Sequence, residues 1–253
     1  MSRNKLPSMG ILCVLVMSSF LSCSNGESSL VTTHTNNSKR VHDTCHSVMR
    51  LDTLGLIVLY PEFGSVDLVC GAEPSEQDTS VILFAEAAYT QVCTNNFTHN
   101  NIAGDHVSTG KRYGGYKCTR NTGAFVFYNG KWEFCYKNYS HKLDEAAKHG
   151  GAAFAQELVI HQGKSVPTVR SNTSKNQFRA LCEHNGKLCV VESTDIVTFA
   201  DFRSKLLQYG VSNAIYLDMG EGWNYAWYRD GDSIRELHPK THDFCTNWIT
   251  FYK

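Results

Sequence analysis

The sequence lacks the short motifs that mark several large enzyme classes. It contains no GxSxG nucleophile elbow, no Walker loop, no dinucleotide-binding glycine fingerprint after a strand and no HExxH pair. It also lacks a CxxC pair with the spacing of a structural zinc site. These absences argue against serine esterases, nucleotide-dependent enzymes and zincins. They also lead us to expect neither a metal nor a cofactor.

An excess of charge of one sign is absent as well. Lysine plus arginine and aspartate plus glutamate number 24 each in the 253 residues, so the formal net charge is zero. Proteins that bind nucleic acid usually present a strongly basic surface. We therefore expect no nucleic-acid partner.

The N-terminal residues have the pattern of a bacterial export signal. Two basic residues precede an apolar stretch over residues 9–20, which is too short to span a bilayer comfortably, and no later run is long enough either. Cys23 follows, as in lipoprotein signals whose cysteine is lipidated; an ordinary cleaved secretion signal is the alternative. We predict a signal peptide over 1–22, lipid on Cys23, a flexible tether over 23–45 and a folded domain over 46–253. The expected location is the envelope of a Gram-negative bacterium, anchored by lipid to the outer membrane.

Ten cysteines occur, and eight remain once the signal and Cys23 are set aside. An even number in an exported protein permits disulfides, although sequence cannot give their pairing. A two-residue turn at Asn185-Gly186 would place Cys182 opposite Cys189, at a separation that a disulfide can span. Buried free thiols are the alternative.

Hairpin signals dominate the rest of the chain, with two helices among them. Residue pairs that tolerate positive φ separate β-rich flanks at Asn129-Gly130, Gln162-Gly163, Asn185-Gly186 and Asp230-Gly231. Residues 141–151 and 199–209 have helical patterns, the second with a capping Thr198 before it and Gly210 after it. We predict an α+β fold in a single domain, with a mostly antiparallel or mixed β-sheet built from hairpins and a few flanking helices.

The stretch NAIYLDMGEGWNYAWYRDG, residues 213–231, combines an apolar strand with acidic and aromatic residues. Asp218 ends the strand and Glu221 follows three residues later, so the two could form the carboxylate pair of a glycoside hydrolase. Alternatively, Asp218 bonds the backbone of its own turn. Trp223, Tyr225 and Trp227 share one face of a strand, and they fit either a sugar-stacking platform or a packed core.

Other candidates come from a long polar region and from one arginine. Residues 93–123 are rich in glycine and polar side chains, and loops of this length usually serve a function. Asp105, His106 and Asn121 lie there as candidate substrate contacts, with His106 as a proton donor near neutral pH or a structural histidine. Arg179 begins a strand and could clamp an anion, or it could be an exposed strand-edge residue.

The order of these segments resembles the phosphodiester glycosidase family, which includes the mannose-6-phosphate uncovering enzyme. The similar segments run collinearly over roughly residues 54–253: EAAYT, AGDHVSTG, GAFVFYNGKWEF, QELVIHQGK, FRALCEHNGKLCVV, the 199–209 helix, NAIYLDMGEG and CTNWITFYK. The resemblance implies a carbohydrate or sugar-phosphodiester substrate. It assigns catalytic roles to Asp218 and Arg179, and Glu221 joins them as the second carboxylate predicted from its position after Asp218. The predicted substrate-binding set, drawn from the polar region and the acidic loop, is Asp105, His106, Asn121, Gln156, Trp223 and Asn224.

The chain departs from the family pattern at the acidic loop. Met219, Glu221, Gly222 and Trp223 stand where the family has glycines and serines, and Glu86 or Ala87 stands where it has asparagine. Groups suited to holding a phosphate are therefore lost. The sequence predicts an exported lipoprotein hydrolase acting on a glycosidic or sugar-1-phosphodiester bond. The alternatives are a non-catalytic carbohydrate-binding lipoprotein on the same scaffold and an adhesion or structural protein.

Overall fold

The computed structural model describes residues 48–92, 96–220, 222–241 and 244–253. The predicted signal peptide, Cys23 and the tether up to residue 45 lie outside these residues, and so does Glu221. The chain divides into two units, Met1–His42 and Asp43–Lys253, and every described residue belongs to the second. A single domain is therefore not established, contrary to the sequence-based expectation.

The described residues form nineteen β-strands, two α-helices and one turn of 3-10 helix, His99–Asn101. The strands are β1 (Val48–Thr53), β2 (Leu56–Pro61), β3 (Ser65–Cys70), β4 (Val81–Glu86), β5 (His106–Ser108), β6 (Lys111–Tyr113), β7 (Gly123–Tyr128), β8 (Lys131–Tyr136), β9 (Ala152–Gln156), β10 (Leu158–His161), β11 (Lys164–Ser165), β12 (Lys175–Asn176), β13 (Arg179–His184), β14 (Lys187–Ser193), β15 (Val197–Thr198), β16 (Asn213–Leu217), β17 (Ala226–Asp230), β18 (Ser233–His238) and β19 (Asn247–Tyr252). The helices are α1 (Ser140–Lys148) and α2 (Phe199–Tyr209). Among these residues, no helix is long and apolar enough to cross a membrane.

The strands build four sheets. A seven-stranded sheet has the order β1-β2-β14-β13-β16-β10-β11, and two five-stranded sheets have the orders β18-β17-β4-β19-β3 and β6-β5-β9-β7-β8. The short strands β12 and β15 form a fourth sheet. Within the described ranges, every pairing between these strands is antiparallel.

The predicted α+β class is therefore wrong: the fold is mostly antiparallel β. Both predicted helices form, but they are only nine and eleven residues long. Helices of that length do not make a layer comparable to nineteen strands. The hairpin signals correctly indicated antiparallel strands, because each two-residue turn joins antiparallel neighbours.

The turn residues show how local sequence sets the register. Three predicted turns have both central residues at positive φ, as a tight type I′ hairpin requires: Asn129-Gly130, Gln162-Gly163 and Asn185-Gly186. The fourth turn is displaced by one residue, because Asp230 pairs with Ser233 and leaves Gly231-Asp232 as the loop. A further turn, Leu54-Gly55, joins β1 to β2.

The register of the β13–β14 hairpin places Cys182 directly opposite Cys189, as predicted. Both are nevertheless free thiols, and so are the other four cysteines of the described residues. Both side chains are fully buried in the core beneath α2. The structure therefore corresponds to the alternative of buried thiols.

Helix α2 and strand β16 lead the chain to the candidate site. Thr198 caps the helix by accepting a hydrogen bond from the backbone N–H of Asp201 at 3.1 Å, and Gly210 ends it at φ +90°. The apolar face of α2 packs on Phe178, next to the start of β13. Strand β16 then runs between β13 and β10 and ends immediately before Asp218.

Candidate active site

Asp218 lies where two sheets meet. It follows β16 of the seven-stranded sheet, and its backbone N–H donates a 3.0 Å hydrogen bond to the carbonyl of Ala87, just after β4 of a five-stranded sheet. The residue is thus fixed by hydrogen-bonded backbone on both sides. A cleft of about 240 Å³ opens above it. The lining residues are Tyr89, Thr90, Arg120, Arg170, Tyr216, Asp218, Met219 and Trp223.

The Asp218 carboxyl has an altered proton affinity. Burial raises its pKa to about 7, while the backbone N–H groups of Met219 and Thr90 and the charges of Arg170 and Arg120 act in the opposite direction. Both protonation states are consequently populated near neutral pH. A carboxyl of this kind can donate or accept a proton during a reaction.

Arg170 supplies the cleft with a fixed positive charge. Its Nε donates to Glu157 Oε2 at 3.1 Å, and its Nη2 donates to the hydroxyl of Tyr89, which in turn donates to the same carboxylate at 2.9 Å. The guanidinium also lies 4.4 Å from the centre of the Tyr216 ring. Its Nη1 has no hydrogen-bond partner in the described part of the chain. A nitrogen without an internal partner is available to a ligand.

Arg120 is the second cation of the cleft. It is exposed, and its guanidinium lies 5.6 Å from the centre of the Tyr89 ring. Sequence reasoning singled out neither arginine. Arg120 falls within the predicted ligand region 93–123 and could have been found there. No sequence motif surrounds Arg170, and its partner Glu157 is not at the spacing of neighbours on one helix or one strand.

Arg179, the predicted anion clamp, lies outside the lining of the Asp218 cleft. It is fully buried, with Nε 2.8 Å from Glu192 Oε2 and Nη2 donating to the backbone carbonyl of Asn224 at 2.8 Å. Glu192 also bonds His238. Neither Arg179 nor Asn224 lines the Asp218 cleft. Arg179 begins a strand, as predicted, but its side chain faces an internal carboxylate.

The other predicted polar contacts also lie outside the cleft lining. Asp105 pairs with Arg112, and Asn121 donates to the carbonyl of Ala103 at 3.1 Å. Gln156 is fully buried and donates to the carbonyl of Ala87 at 3.3 Å. His106 is fully buried in β5, and burial lowers its pKa to about 4, so it is not a proton donor near neutral pH.

The aromatic residues after Asp218 divide between site and core. Trp223 lines the cleft and packs against Phe244, with ring centres 5.2 Å apart. Trp227 is fully buried, with its ring centre 5.0 Å from that of Phe84, and Tyr225 packs on the same ring at 5.5 Å. Only Trp223 of these three is placed to stack on a ligand.

Glu86 is a buried carboxyl close to Asp218. Burial, together with the nearby Asp218 charge, raises its pKa to about 9. Its Oε2 has no hydrogen-bond partner among the described residues. At neutral pH this side chain is therefore neutral.

One group of side chains could hold a metal. Cys70, His99 and His106 offer ligand atoms that all lie within 4.8 Å of one another. None of the three lines the Asp218 cleft. A larger cavity of about 420 Å³, lined by Phe63, Trp132 and others, also shares no residue with that cleft.

The fold and the cleft together define an antiparallel β protein with a carboxyl and two arginines at a junction of sheets. No family model and no curated protein matches the sequence. Among solved structures, the chain is similar to the catalytic domain of zebrafish N-acetylglucosamine-1-phosphodiester alpha-N-acetylglucosaminidase, auto-inhibited by its pro-peptide. The identity is 12%, the match covers 81% of each chain and the TM-score is 0.55.

A hypothetical protein from Synechocystis is also similar, at 13% identity and a TM-score of 0.49, over 81% of this chain and 61% of that one. The likeness to the zebrafish domain shows a distant relationship of fold. The resemblance predicted from the sequence is confirmed to that extent.

Proposed function

We propose that the protein is an exported hydrolase that cleaves a glycosidic or sugar-1-phosphodiester bond at the Asp218 cleft. The observation that carries the proposal is a carboxyl with a pKa of about 7 between two arginines that face the same cleft. The distant fold relationship to a glycosidase domain supports a hydrolase. An anionic substrate fits best when Asp218 is protonated, because Arg170 and Arg120 then leave a net positive charge at the cleft even with the buried Glu157 counted.

In this proposal each residue has a separate task. Asp218 donates its proton to the oxygen that leaves the sugar C1 carbon, while a water molecule adds to C1 and loses a proton to solvent, from which Asp218 is protonated again. Arg170 and Arg120 hold the phosphate and stabilise the negative charge that develops on it as the bond breaks. Trp223 stacks on the apolar face of the sugar. Arg170, rather than the buried Arg179, is thus the anion clamp.

A second candidate is a non-catalytic carbohydrate-binding protein on the same scaffold. Glycosidases usually place two carboxyl groups across the scissile bond. Among the described residues that line the cleft, Asp218 is the one carboxyl. Binding without hydrolysis would still use Trp223 and the two arginines, so it predicts saturable binding and no product.

The test compares the wild-type chain with Asp218→Asn, using Asp232→Asn in the exposed β17–β18 turn as the matched control. Each protein is incubated with an N-acetylglucosamine-1-phosphodiester and with uncharged aryl glycosides, and released sugar is measured. We expect wild type and the control to release sugar, and Asp218→Asn to be slower by about 10²–10⁴-fold. Equal turnover by Asp218→Asn would refute the proposal. Saturable binding with no product from wild type would support the second candidate.

The proposed site of action is the bacterial envelope, because the sequence begins with a lipoprotein-type signal. In this proposal lipid on Cys23 holds the protein to the outer membrane. Cys23→Ala should move the protein from the membrane fraction to the soluble fraction after export. Retention of this variant in the membrane fraction would argue against lipid attachment at Cys23.

A further inference from the structure

Three potential metal ligands meet at one place in the fold although they are separated along the chain. Cys70 is the last residue of β3, His99 begins the 3-10 turn, and His106 is the first residue of β5. Their ligand atoms all lie within 4.8 Å of one another. No sequence motif identifies this group, because its members lie in separate elements that only the folded chain brings together.

The hydrogen bonds of His106 orient its ring for a ligand. The ring is fully buried, and its Nδ1 lies 3.1 Å from the carbonyl of Gly104. Since a carbonyl can only accept, Nδ1 carries the proton and the lone pair is on Nε2. That lone pair points to His99 Nδ1 at 2.8 Å. Metal-binding histidines are commonly held in this way, with one ring nitrogen donating to a backbone carbonyl and the other ligating.

The neighbours of His99 fix its ring as well. Tyr113 stacks on it with ring centres 3.3 Å apart, and Phe97 packs edge-on at 5.2 Å. Phe97 in turn packs against Gly71, the residue after Cys70. A Cβ on Gly71 would lie 2.6 Å from the Phe97 ring. The absence of a side chain at Gly71 therefore allows the 97–99 segment to approach Cys70.

We propose that Cys70, His99 and His106 form a binding site for a zinc-type divalent metal, with a fourth position open to water. A thiolate with two imidazoles is a ligand set that zinc favours over magnesium or calcium. Zinc–nitrogen bonds of about 2.0–2.1 Å separate two tetrahedral nitrogen ligands by about 3.3 Å. The two rings therefore need to move apart by only about 0.5 Å from their hydrogen-bonded positions.

Binding changes the protonation of the group in a defined way. Cys70 loses its thiol proton, and the proton on His99 Nδ1 moves to Nε2, so that each ligand atom presents a lone pair. The metal replaces the His99–His106 hydrogen bond as the link between the 3-10 turn and β5, and it adds Cys70 of β3 to that link. The expected consequence is a higher thermal stability of the metal-bound chain.

The test uses the full-length, untagged chain, stripped with a chelator and then dialysed against Zn²⁺ alone. Bound zinc is counted by mass spectrometry, and affinity and melting temperature are measured. We expect one zinc per chain at this site, and a loss of affinity of at least about tenfold in Cys70→Ser and in His99→Gln. Both residues are only partly buried, and circular dichroism verifies that each variant folds. Cys118→Ser and the exposed His141→Gln are the matched controls.

Cobalt provides a second readout, because its absorption reports directly on whether the Cys70 thiolate is a metal ligand. Co²⁺ bound to a thiolate produces a charge-transfer absorption in the near ultraviolet, which should be present in wild type and absent in Cys70→Ser. The absence of zinc binding by the wild-type chain would overturn the proposal. So would zinc binding with unchanged affinity in folded Cys70→Ser and His99→Gln, because the metal would then be held elsewhere.

Discussion

The guanidinium of Arg170 lies 3.0 Å from the carboxylate of Glu157, and the side chain of Glu157 is completely buried. The same guanidinium forms part of the cleft wall beside Asp218. One arginine therefore neutralises an internal carboxylate and faces the proposed substrate. Stability and binding depend on the same side chain, and the two contributions can be separated by experiment.

Removing Arg170 should destabilise the protein, because Glu157 would be left buried without a counter-charge. We expect Arg170→Gln to lower the free energy of unfolding by about 3–5 kcal/mol, measured by urea denaturation. Adding Glu157→Gln should recover much of that stability without restoring cleavage of an anionic substrate. Arg203→Gln is the control, since Arg203 contacts the Phe199 ring at 5.6 Å but does not line the cleft. Full stability of the single Arg170 variant would contradict the prediction.

Arg179 should affect folding and leave turnover unchanged. Arg179→Gln removes the guanidinium beside the buried Glu192 and leaves that carboxylate with its His238 contact, so the free energy of unfolding should fall by up to about 3–5 kcal/mol. The turnover number per folded molecule should stay near that of wild type, because Arg179 lines no part of the cleft. Active-site titration or native mass analysis gives the folded fraction for this comparison. A large loss of turnover with unchanged stability would contradict this prediction and support Arg179 as the anion clamp.

The stability effect of Asp218→Asn should depend on pH. The pKa of Asp218 is about 7 in the folded protein and about 3.8 in the unfolded chain, so between these values the folded protein holds a proton that the unfolded chain has released. The contribution of Asp218 to the stability of wild type therefore falls as pH rises from about 4 to about 7. Asparagine is neutral throughout, so the variant should be more stable than wild type above pH about 7, with little difference near pH about 4.

Denaturation of both proteins across this pH range measures that difference, and Asp232→Asn should show no comparable trend because Asp232 is exposed. A destabilised Asp218→Asn at high pH would mean that the carboxylate is needed for the fold itself.

The two tryptophans that flank Tyr225 should behave differently. Trp227 is fully buried, and Trp227→Ala should cost about 3–5 kcal/mol of stability because it leaves a large cavity. Trp223 lines the cleft, so Trp223→Ala should weaken carbohydrate binding with a much smaller change in stability. Thermal melting and a binding titration on the same two samples distinguish the outcomes. Equal loss of stability in both variants would place Trp223 in the core.

The thiols of Cys182 and Cys189 should resist alkylation in the folded protein. Both are fully buried; burial raises the pKa of Cys189 to about 12 and that of Cys182 well above its usual value, so the reactive thiolate is scarce. Alkylation followed by peptide mapping should label Cys118 first and this pair only after denaturation. Rapid labelling of Cys182 in native protein would show that the β13–β14 hairpin opens readily.

The hairpins were the most predictable part of the fold, because their signals are local. Asn129-Gly130 and Asn185-Gly186 adopt the positive φ values that their residue types favour, and the Thr198 cap and Gly210 stop bound α2 as expected. The assembly of those hairpins into four sheets was not predictable, since it depends on pairings between distant strands. The predicted α+β fold class was wrong because helix signals indicate that a helix is present and do not indicate how much of the fold is helical.

Of the residues that line the proposed cleft, the sequence predicted Asp218 and Trp223. Asp218 was singled out because it is a carboxylate at the end of an apolar strand, and Trp223 because it follows in the same loop. Arg170 was missed, since its role arises from a buried partner and from the Tyr216 ring, neither of which is near it in sequence. Conversely, Arg179 was predicted from its strand position, although a strand position does not reveal which partner a side chain meets.

Strand β19 lies between β4 and the edge strand β3 of its sheet, and its Tyr252 pairs with Ser65 of β3. Strands from opposite ends of the described chain must therefore find each other before this sheet exists. Closing so long a loop costs entropy before any pairing repays it, which slows folding. Since Ala87 beside Asp218 follows β4 in this sheet, the cleft is complete only when these distant strands have paired.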